Sequence, residues 1–269
     1  MLATALLLSL PAWSFETKQV ALPSAAMGKT SNATVILPDG YAKSGSRLPT
    51  VYVLHGWSGN DGDWAAKTRI GKLADQHQMI LVMPDGAYDK WYIDSPIVAG
   101  SKYETYVGKE VVEFIDRNYR TIARKEARAI TGLSMGGFGA LNIAVNNPAT
   151  FGAAGSLSGG VDPRDFAKNW GLEAVFGDRV RNADYWNEKA IVSNVHRFIF
   201  SGIDLTIDCG VDDFFIDSNR ALHQRLLDLR IAHDYSERPG GHTWEYWDNA
   251  IRYQALFFAD GFARKLAKP

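Results

Sequence analysis

The stretch Ala129-Ile130-Thr131-Gly132-Leu133-Ser134-Met135-Gly136-Gly137-Phe138 decides how the chain is read. A β-type apolar run leads into it, and a helix-type run from Phe138 to Asn146, closed by Asn147-Pro148, leads out. Between them lies Gly132-x-Ser134-x-Gly136, the spacing of a serine on a sharp strand-to-helix turn. Side chains two positions either side of that serine would collide as the backbone doubles back, so glycine at both places fits the turn. The helix starting beyond Ser134 would aim backbone N–H groups, and the positive end of its dipole, at the space above the hydroxyl.

Outward from this turn, short apolar runs recur at Ala33 to Leu37, Thr50 to His55, Met79 to Met83, Ala127 to Gly132, Gly152 to Leu157, Ile203 to Cys209 and Ile231 to Glu237. Each has the length of a strand. Helical periodicity fills most intervals: Tyr103, Val107, Val111, Phe114 and Ile115 make one stripe, Leu222, Leu226 and Leu229 another, and Trp244, Trp247, Ile251, Ala255, Phe258 and Phe262 a third. Strands apolar on both faces, alternating with amphipathic helices, predict a mostly parallel sheet of about eight strands with helices on both faces. One or two antiparallel strands are expected near Glu16 to Leu37. No repeat or low-complexity linker divides the chain, so one domain is expected over residues 15–269. Between Ser158 and Ile203 the rhythm stops. Open sheets of this kind hold ligands beyond the carboxyl ends of their strands, so an insertion over about 159–202 is expected to overhang the site as a small lid.

Composition bounds the function. Lys plus Arg (29) nearly balances Asp plus Glu (30), for a net charge of −1, so no overall field gathers nucleic acid. The single cysteine, Cys209, excludes an internal disulfide and a cysteine-based structural zinc site, and it reads as a small buried apolar residue. Asn60, Asp61 and Asp63 resemble a cation loop only superficially, since the acidic spacing of such a loop is absent. No metal or cofactor is expected. The run Leu2 to Trp13 is too short to span a bilayer and has the length of a signal-peptide core. Ala12-Trp13-Ser14 supplies the small residues of a cleavage site, so residues 1–14 are expected to be a leader and the protein to be exported, periplasmic or secreted.

A serine hydroxyl needs a base and an orienting carboxylate to become nucleophilic. Of the histidines after Ser134, His242 lies in the flexible turn Pro239-Gly240-Gly241-His242 between the last strand and the last helix, where a side chain can reach over the sheet edge. His223 and His233 fall on a helix and a strand and read as surface or packing residues, and His196 sits in the insertion. The carboxylate should follow the penultimate strand, in Asp208-Cys209-Gly210-Val211-Asp212-Asp213. Alternation puts Asp208 inside the strand as a structural hydrogen-bonder, which leaves Asp212 and Asp213 on the loop. Oxyanion stabilisation calls for two amides: that of Met135 at the helix start, and that of Trp57 in Leu54-His55-Gly56-Trp57-Ser58-Gly59-Asn60, where His55 reads as a positioning residue.

Taken together, HGWSGN, MPDGAYDKWYIDSP, YETYVGKEVVEFIDRNY, GLSMGGFGAL, CGVDDFFID and GGHTWEYW resemble the esterase D branch of the α/β-hydrolases, a group with tributyrin-type esterases, feruloyl esterases, S-formylglutathione hydrolases and mycolyltransferases. The resemblance runs from about Thr34 to Phe258. It implies an α/β-hydrolase fold and a serine carboxylesterase acting on short-chain or aromatic acyl esters, with Ser134 as nucleophile, His242 as base, Asp213 as acid and Trp57 and Met135 as oxyanion donors. Asp212 is the alternative acid. It also places Trp91 and Tyr92 near the acyl or leaving group, as wall or support. The implied partner is a small-molecule or carbohydrate-linked ester. Three rival readings use the same fold: an acyltransferase to a sugar or lipid alcohol, an S-formylglutathione hydrolase, and a non-catalytic carbohydrate-binding protein.

Overall fold

In the computed structural model, which describes residues 14–267, the chain opens on two antiparallel strands, β1 (Glu16–Ser24) and β2 (Lys29–Leu37), joined through Gly28 at φ +63°. Both are longer than their apolar residues suggest, because β1 lies at the sheet edge and exposes most of its side chains. There follow β3 (Thr50–Leu54), α1 (Asp63–Lys67), α2 (Ile70–His77) and β4 (Ile80–Pro84). The Tyr103 stripe forms α3 (Tyr103–Thr105), a π-helical turn over Tyr106–Val111, and α4 (Val112–Asn118). Then come β5 (Arg128–Gly132), α5 (Met135–Asn146) and β6 (Ala153–Leu157). After the insertion lie β7 (Asp204–Gly210), α8 (Ile216–Asp228), β8 (His233–Arg238) and α9 (Trp244–Leu266).

The described residues make one eight-stranded sheet in the order β1-β2-β4-β3-β5-β6-β7-β8. Pairing is antiparallel from β1 to β4 and parallel elsewhere. The seven apolar runs thus all become strands, with bounds shifted by a residue or two except at β2. Alternation feeds two cores. Tyr52, Leu54, Val82 and Ile130 pack with the α3–α4 segment, α5 and α8 on one face. Val51, Val53, Leu81 and Ala129 pack with α1, α2 and α9 on the other. This is the α/β-hydrolase fold expected from the sequence.

The insertion contains no strand. It carries the short helices α6 (Leu172–Phe176) and α7 (Ala183–Lys189) among 3-10 turns. Five side-chain contacts pin it to the body: Trp91 Nε1 donates to the Trp170 carbonyl (3.0 Å), Ser95 Oγ to that of Val175 (2.6 Å), Tyr185 OH to that of Asp94 (2.7 Å) and Arg197 to Asn146 Oδ1 (2.6 Å), while Lys189 pairs with Glu104 (2.8 Å). These contacts seat the insertion on the body of the fold. Of the expected leader, residues 1–13 lie outside the described residues, and Ser14 donates its amide to Asp75 (3.2 Å).

Candidate active site

Ser134 sits where β5 gives way to α5, at φ 55° and ψ −116°. A non-glycine residue held there stores roughly 1–3 kcal/mol of strain, and four backbone hydrogen bonds fix the turn. Ser134 N–H donates to Leu157 O (2.9 Å) and Leu133 N–H to Leu54 O (3.3 Å), while the Ser134 carbonyl accepts from Phe138 (3.1 Å) and Gly160 (3.3 Å). A Cβ on Gly132 would lie 2.6 Å from the Leu54 carbonyl oxygen, and one on Gly136 2.5 Å from the same atom. That crowding is backbone against backbone and has no flexible side chain to yield. Residues 132 and 136 must therefore be without a side chain for the turn to close.

The acid and base come from the loops after β7 and β8. His242 Nδ1 lies 2.8 Å from Asp213 Oδ2, and the other Asp213 oxygen accepts the Phe215 amide at 2.9 Å. Asp213 is buried, so its charge is held by those partners rather than by water. Asp212 is exposed and directs its amide to the Gly240 carbonyl, which ties the two loops together. The geometry separates the two aspartates that spacing left equivalent: Asp213 is the one joined to His242. The imidazole is packed by Phe214 (ring centroids 4.3 Å apart), by the edge of Trp247 (4.8 Å) and by Phe215 (5.4 Å). Asp208 lies inside β7 as expected, accepting from Tyr246 OH (2.5 Å) and paired with Arg238.

Ser134 and His242 face one cleft of about 200 Å³, together with Gly56, Trp57 and Leu133. Among the described residues neither the Ser134 hydroxyl nor the amides of Trp57 and Met135 have a protein hydrogen-bond partner. A hydroxyl and two N–H groups thus remain for a ligand beside a carboxylate-oriented imidazole. Catalytic hydrogen bonds are commonly loose until substrate is bound. The walls are aromatic. Trp91 and Trp170 stand on the insertion side, where Trp170 stacks on Phe214 (5.5 Å), and Trp244 and Trp247 on the other side, beside the Asp63–Lys67 ion pair (2.9 Å).

Of the two placements expected for Trp91 and Tyr92, wall or support, Tyr92 falls on the support side. Trp91 and Tyr92 both have positive φ (51° and 52°), and only Trp91 reaches the cleft. Tyr92 is buried against α5, where Gly139 leaves room for its ring, and its OH donates to the His55 carbonyl (3.2 Å). It supports the site from below and is no wall of the cleft. Sequence reasoning overlooked Asp63 and Lys67 as lining residues, and read Trp244 and Trp247 only as helix packing. A signal existed in their position, since α9 begins two residues after His242 and must start at the site. Asp61 bonds Gln19 (2.8 Å) and Thr34 (2.9 Å). Among the described residues no group of three or more potential metal ligands occurs. Cys209 is buried, and burial pushes its thiol well above the usual range.

The Esterase family model matches residues 24–258. Esterase Rv1288 of Mycobacterium tuberculosis (strain H37Rv) is 30% identical over 251 residues, covering 82% of this chain and 54% of that protein. The chain thus spans about half the length of the first curated relatives it matches. The acetyl esterase of Caldicellulosiruptor saccharolyticus is 30% identical over 218 residues, covering 76% of this chain and 80% of its own. Among solved structures, a ferulic acid esterase superposes with a TM-score of 0.79 at 26% identity, covering 93% of this chain and 100% of that one.

Proposed function

Because the chain belongs to the Esterase family, we propose that it is a serine carboxylesterase with Ser134 as nucleophile, His242 as general base and Asp213 as the orienting acid. The observation that carries this reading is the convergence on one cleft of a strained serine, a buried carboxylate–imidazole pair and two amides without protein acceptors. In the first step Ser134 Oγ attacks the ester carbonyl as its proton passes to His242 Nε2. The carbonyl oxygen, now negative, is received by the amides of Trp57 and Met135. Collapse expels the alcohol, which takes the proton from His242. Water, deprotonated by the same imidazole, then attacks the acyl-enzyme and releases the acid and the serine. Asp213 holds His242 with Nδ1–H toward itself, leaving Nε2 free to accept, and stabilises the imidazolium of each step.

The cleft volume and its aromatic walls support a short-chain or aromatic acyl group, held by Trp91 and Trp170. A small-molecule or carbohydrate-linked ester is the proposed substrate. The apolar run at the N-terminus supports export as the setting, and a mature protein beginning at Phe15 in the exported fraction is the expected finding. Hydrolysis of p-nitrophenyl acetate tests the assignment. Ser134→Ala is expected to lose on the order of 10⁴-fold or more in kcat while remaining folded. Retained turnover would overturn the reading. Product analysis with added sugar or glycerol acceptors separates hydrolysis from acyl transfer.

A further inference from the structure

The mechanism leaves unused one buried titratable group beside the reacting atoms. His55 directly follows the last residue of β3 and is almost fully buried. Its Nδ1 lies 2.8 Å from the carbonyl oxygen of the next residue, Gly56, and its Nε2 accepts the Gly86 amide at 2.8 Å. Asp85 Oδ1 lies farther from Nε2, at 3.5 Å. A carbonyl oxygen can only accept, so Nδ1 carries the proton, and the Gly86 N–H requires a lone pair on Nε2. The two contacts select a single neutral tautomer. Tyr92 OH, on the carbonyl of His55 itself, holds the backbone of the same residue.

The consequence passes through one peptide plane. Because the amide unit is planar and trans, the Gly56 carbonyl and the Trp57 N–H point to opposite sides of it. Whatever fixes the carbonyl therefore aims the N–H. His55 Nδ1–H and the Gly59 amide (3.1 Å) both hold the Gly56 oxygen on the inner side of the loop. The N–H of Trp57 is left on the cleft side without a protein acceptor. At Gly56 a Cβ would lie 2.5 Å from Leu133 Cδ1 and 3.5 Å from Ser134 Cβ, which places this peptide directly against the serine. We propose that His55 is a positioning residue which, through its Nδ1–H bond to the Gly56 carbonyl, aims the Trp57 amide at the oxyanion. Its task is neither proton transfer nor substrate contact. The inference rests on the serine-esterase reading above.

Three substitutions separate this role from plain packing. Asparagine puts its amide nitrogen near the position of Nδ1 and can keep the bond to Gly56. Glutamine reaches the Nε2 position and loses that bond, and leucine fills the volume with neither. On p-nitrophenyl acetate, His55→Gln and His55→Leu are expected to lose roughly 10- to 100-fold in kcat, the scale of a misaimed oxyanion donor. KM should stay within about threefold, and an alkyl trifluoromethyl ketone, which mimics the tetrahedral state at Ser134, should weaken by the same factor as kcat. His55→Asn is expected to stay within about threefold of the parent on all three. Melting temperatures of the variants supply the structural control, and the Asn–Gln comparison stands even if the leucine variant fails to fold. The proposal is overturned if Asn loses as much as Gln, if kcat follows melting temperature rather than the Nδ1 donor, or if ketone affinity is unmoved. A Ser134→Ala variant that keeps its turnover sinks the esterase reading instead, so the two failures are distinct.

Discussion

The two halves of the candidate site are built by different means. On one side, the Ser134 turn and the Gly56–Trp57 loop are made of backbone pressed on backbone: Gly132 and Gly136 both abut the Leu54 carbonyl, and the functional N–H groups belong to the main chain. On the other side, Asp213 and His242 project from loops after β7 and β8 and meet through one side-chain bond of 2.8 Å. The first half depends on the absence of side chains at chosen points. The second depends on two particular side chains, with aromatic packing from Phe214, Phe215 and Trp247 to hold the ring. A side chain added at Gly132 or Gly136 in the backbone half should therefore damage stability and activity together, whereas a change in the side-chain half can remove activity and leave the fold intact.

The largest effect is expected in the side-chain half. Asp213→Asn keeps the shape of the carboxyl but can present an N–H to His242, favouring the wrong tautomer. It should lower kcat by about 10⁴-fold with little change in melting temperature, while Asp212→Asn stays near the parent. Equal losses at both positions, measured by ester hydrolysis, would break the comparison. Gly136→Ala should act in the opposite style. Its Cβ would meet the Leu54 carbonyl oxygen at 2.5 Å, so the turn must shift, at a cost of about 1–3 kcal/mol. A lower melting temperature and a loss of activity should appear together, and an unchanged melting curve would contradict the backbone account.

The smallest effect concerns the edge of the sheet that carries the side-chain half. His223 on α8 stands with its Nδ1 2.7 Å from His233 Nε2 on β8 and stacks on Tyr235 at 3.9 Å, with the Arg220–Glu237 pair alongside. His233 Nδ1 already bonds the Ile231 carbonyl, so neutral rings donate from His223 to His233. Desolvation, and then the neighbouring His233, hold the His223 ring below the usual histidine range. Its folded-state value is depressed, so its stabilising contribution is present above the unfolded value of about 6.5 and is lost as pH falls through the lower folded one. Thermal melts from pH 7.5 to 5 should show a small decline that His223→Asn reduces. An identical slope in that variant would remove the pair from the account.

How much of this was legible follows from the same contrast. The Ser134 turn could be read because backbone crowding demands glycine at fixed spacing, a requirement that leaves its mark on the residues themselves. The strands were legible for a similar reason: residues such as Tyr52 and Val53 must be apolar on both faces of a covered sheet. Asp213 could not be separated from Asp212 by spacing, since one residue along a loop reverses direction without altering composition. Wall and support could not be told apart at Trp91 and Tyr92, because two successive left-handed residues send the Tyr92 ring inward and nothing about Trp-Tyr announces that conformation. The insertion appeared only as a gap in periodicity. Its hold on the body comes from single contacts, such as Trp91 to the Trp170 carbonyl and Lys189 to Glu104, which carry no period at all.

The most direct test of the central claim, that Ser134 is made reactive by its surroundings, is labelling with a fluorophosphonate followed by mass spectrometry of the peptides. The account predicts one phosphonyl group on the peptide carrying Ser134, lost in Ser134→Ala and in denatured protein, and strongly slowed when His242 is replaced by alanine. A folded, ester-hydrolysing protein that takes the label on another residue, or takes none, would contradict it.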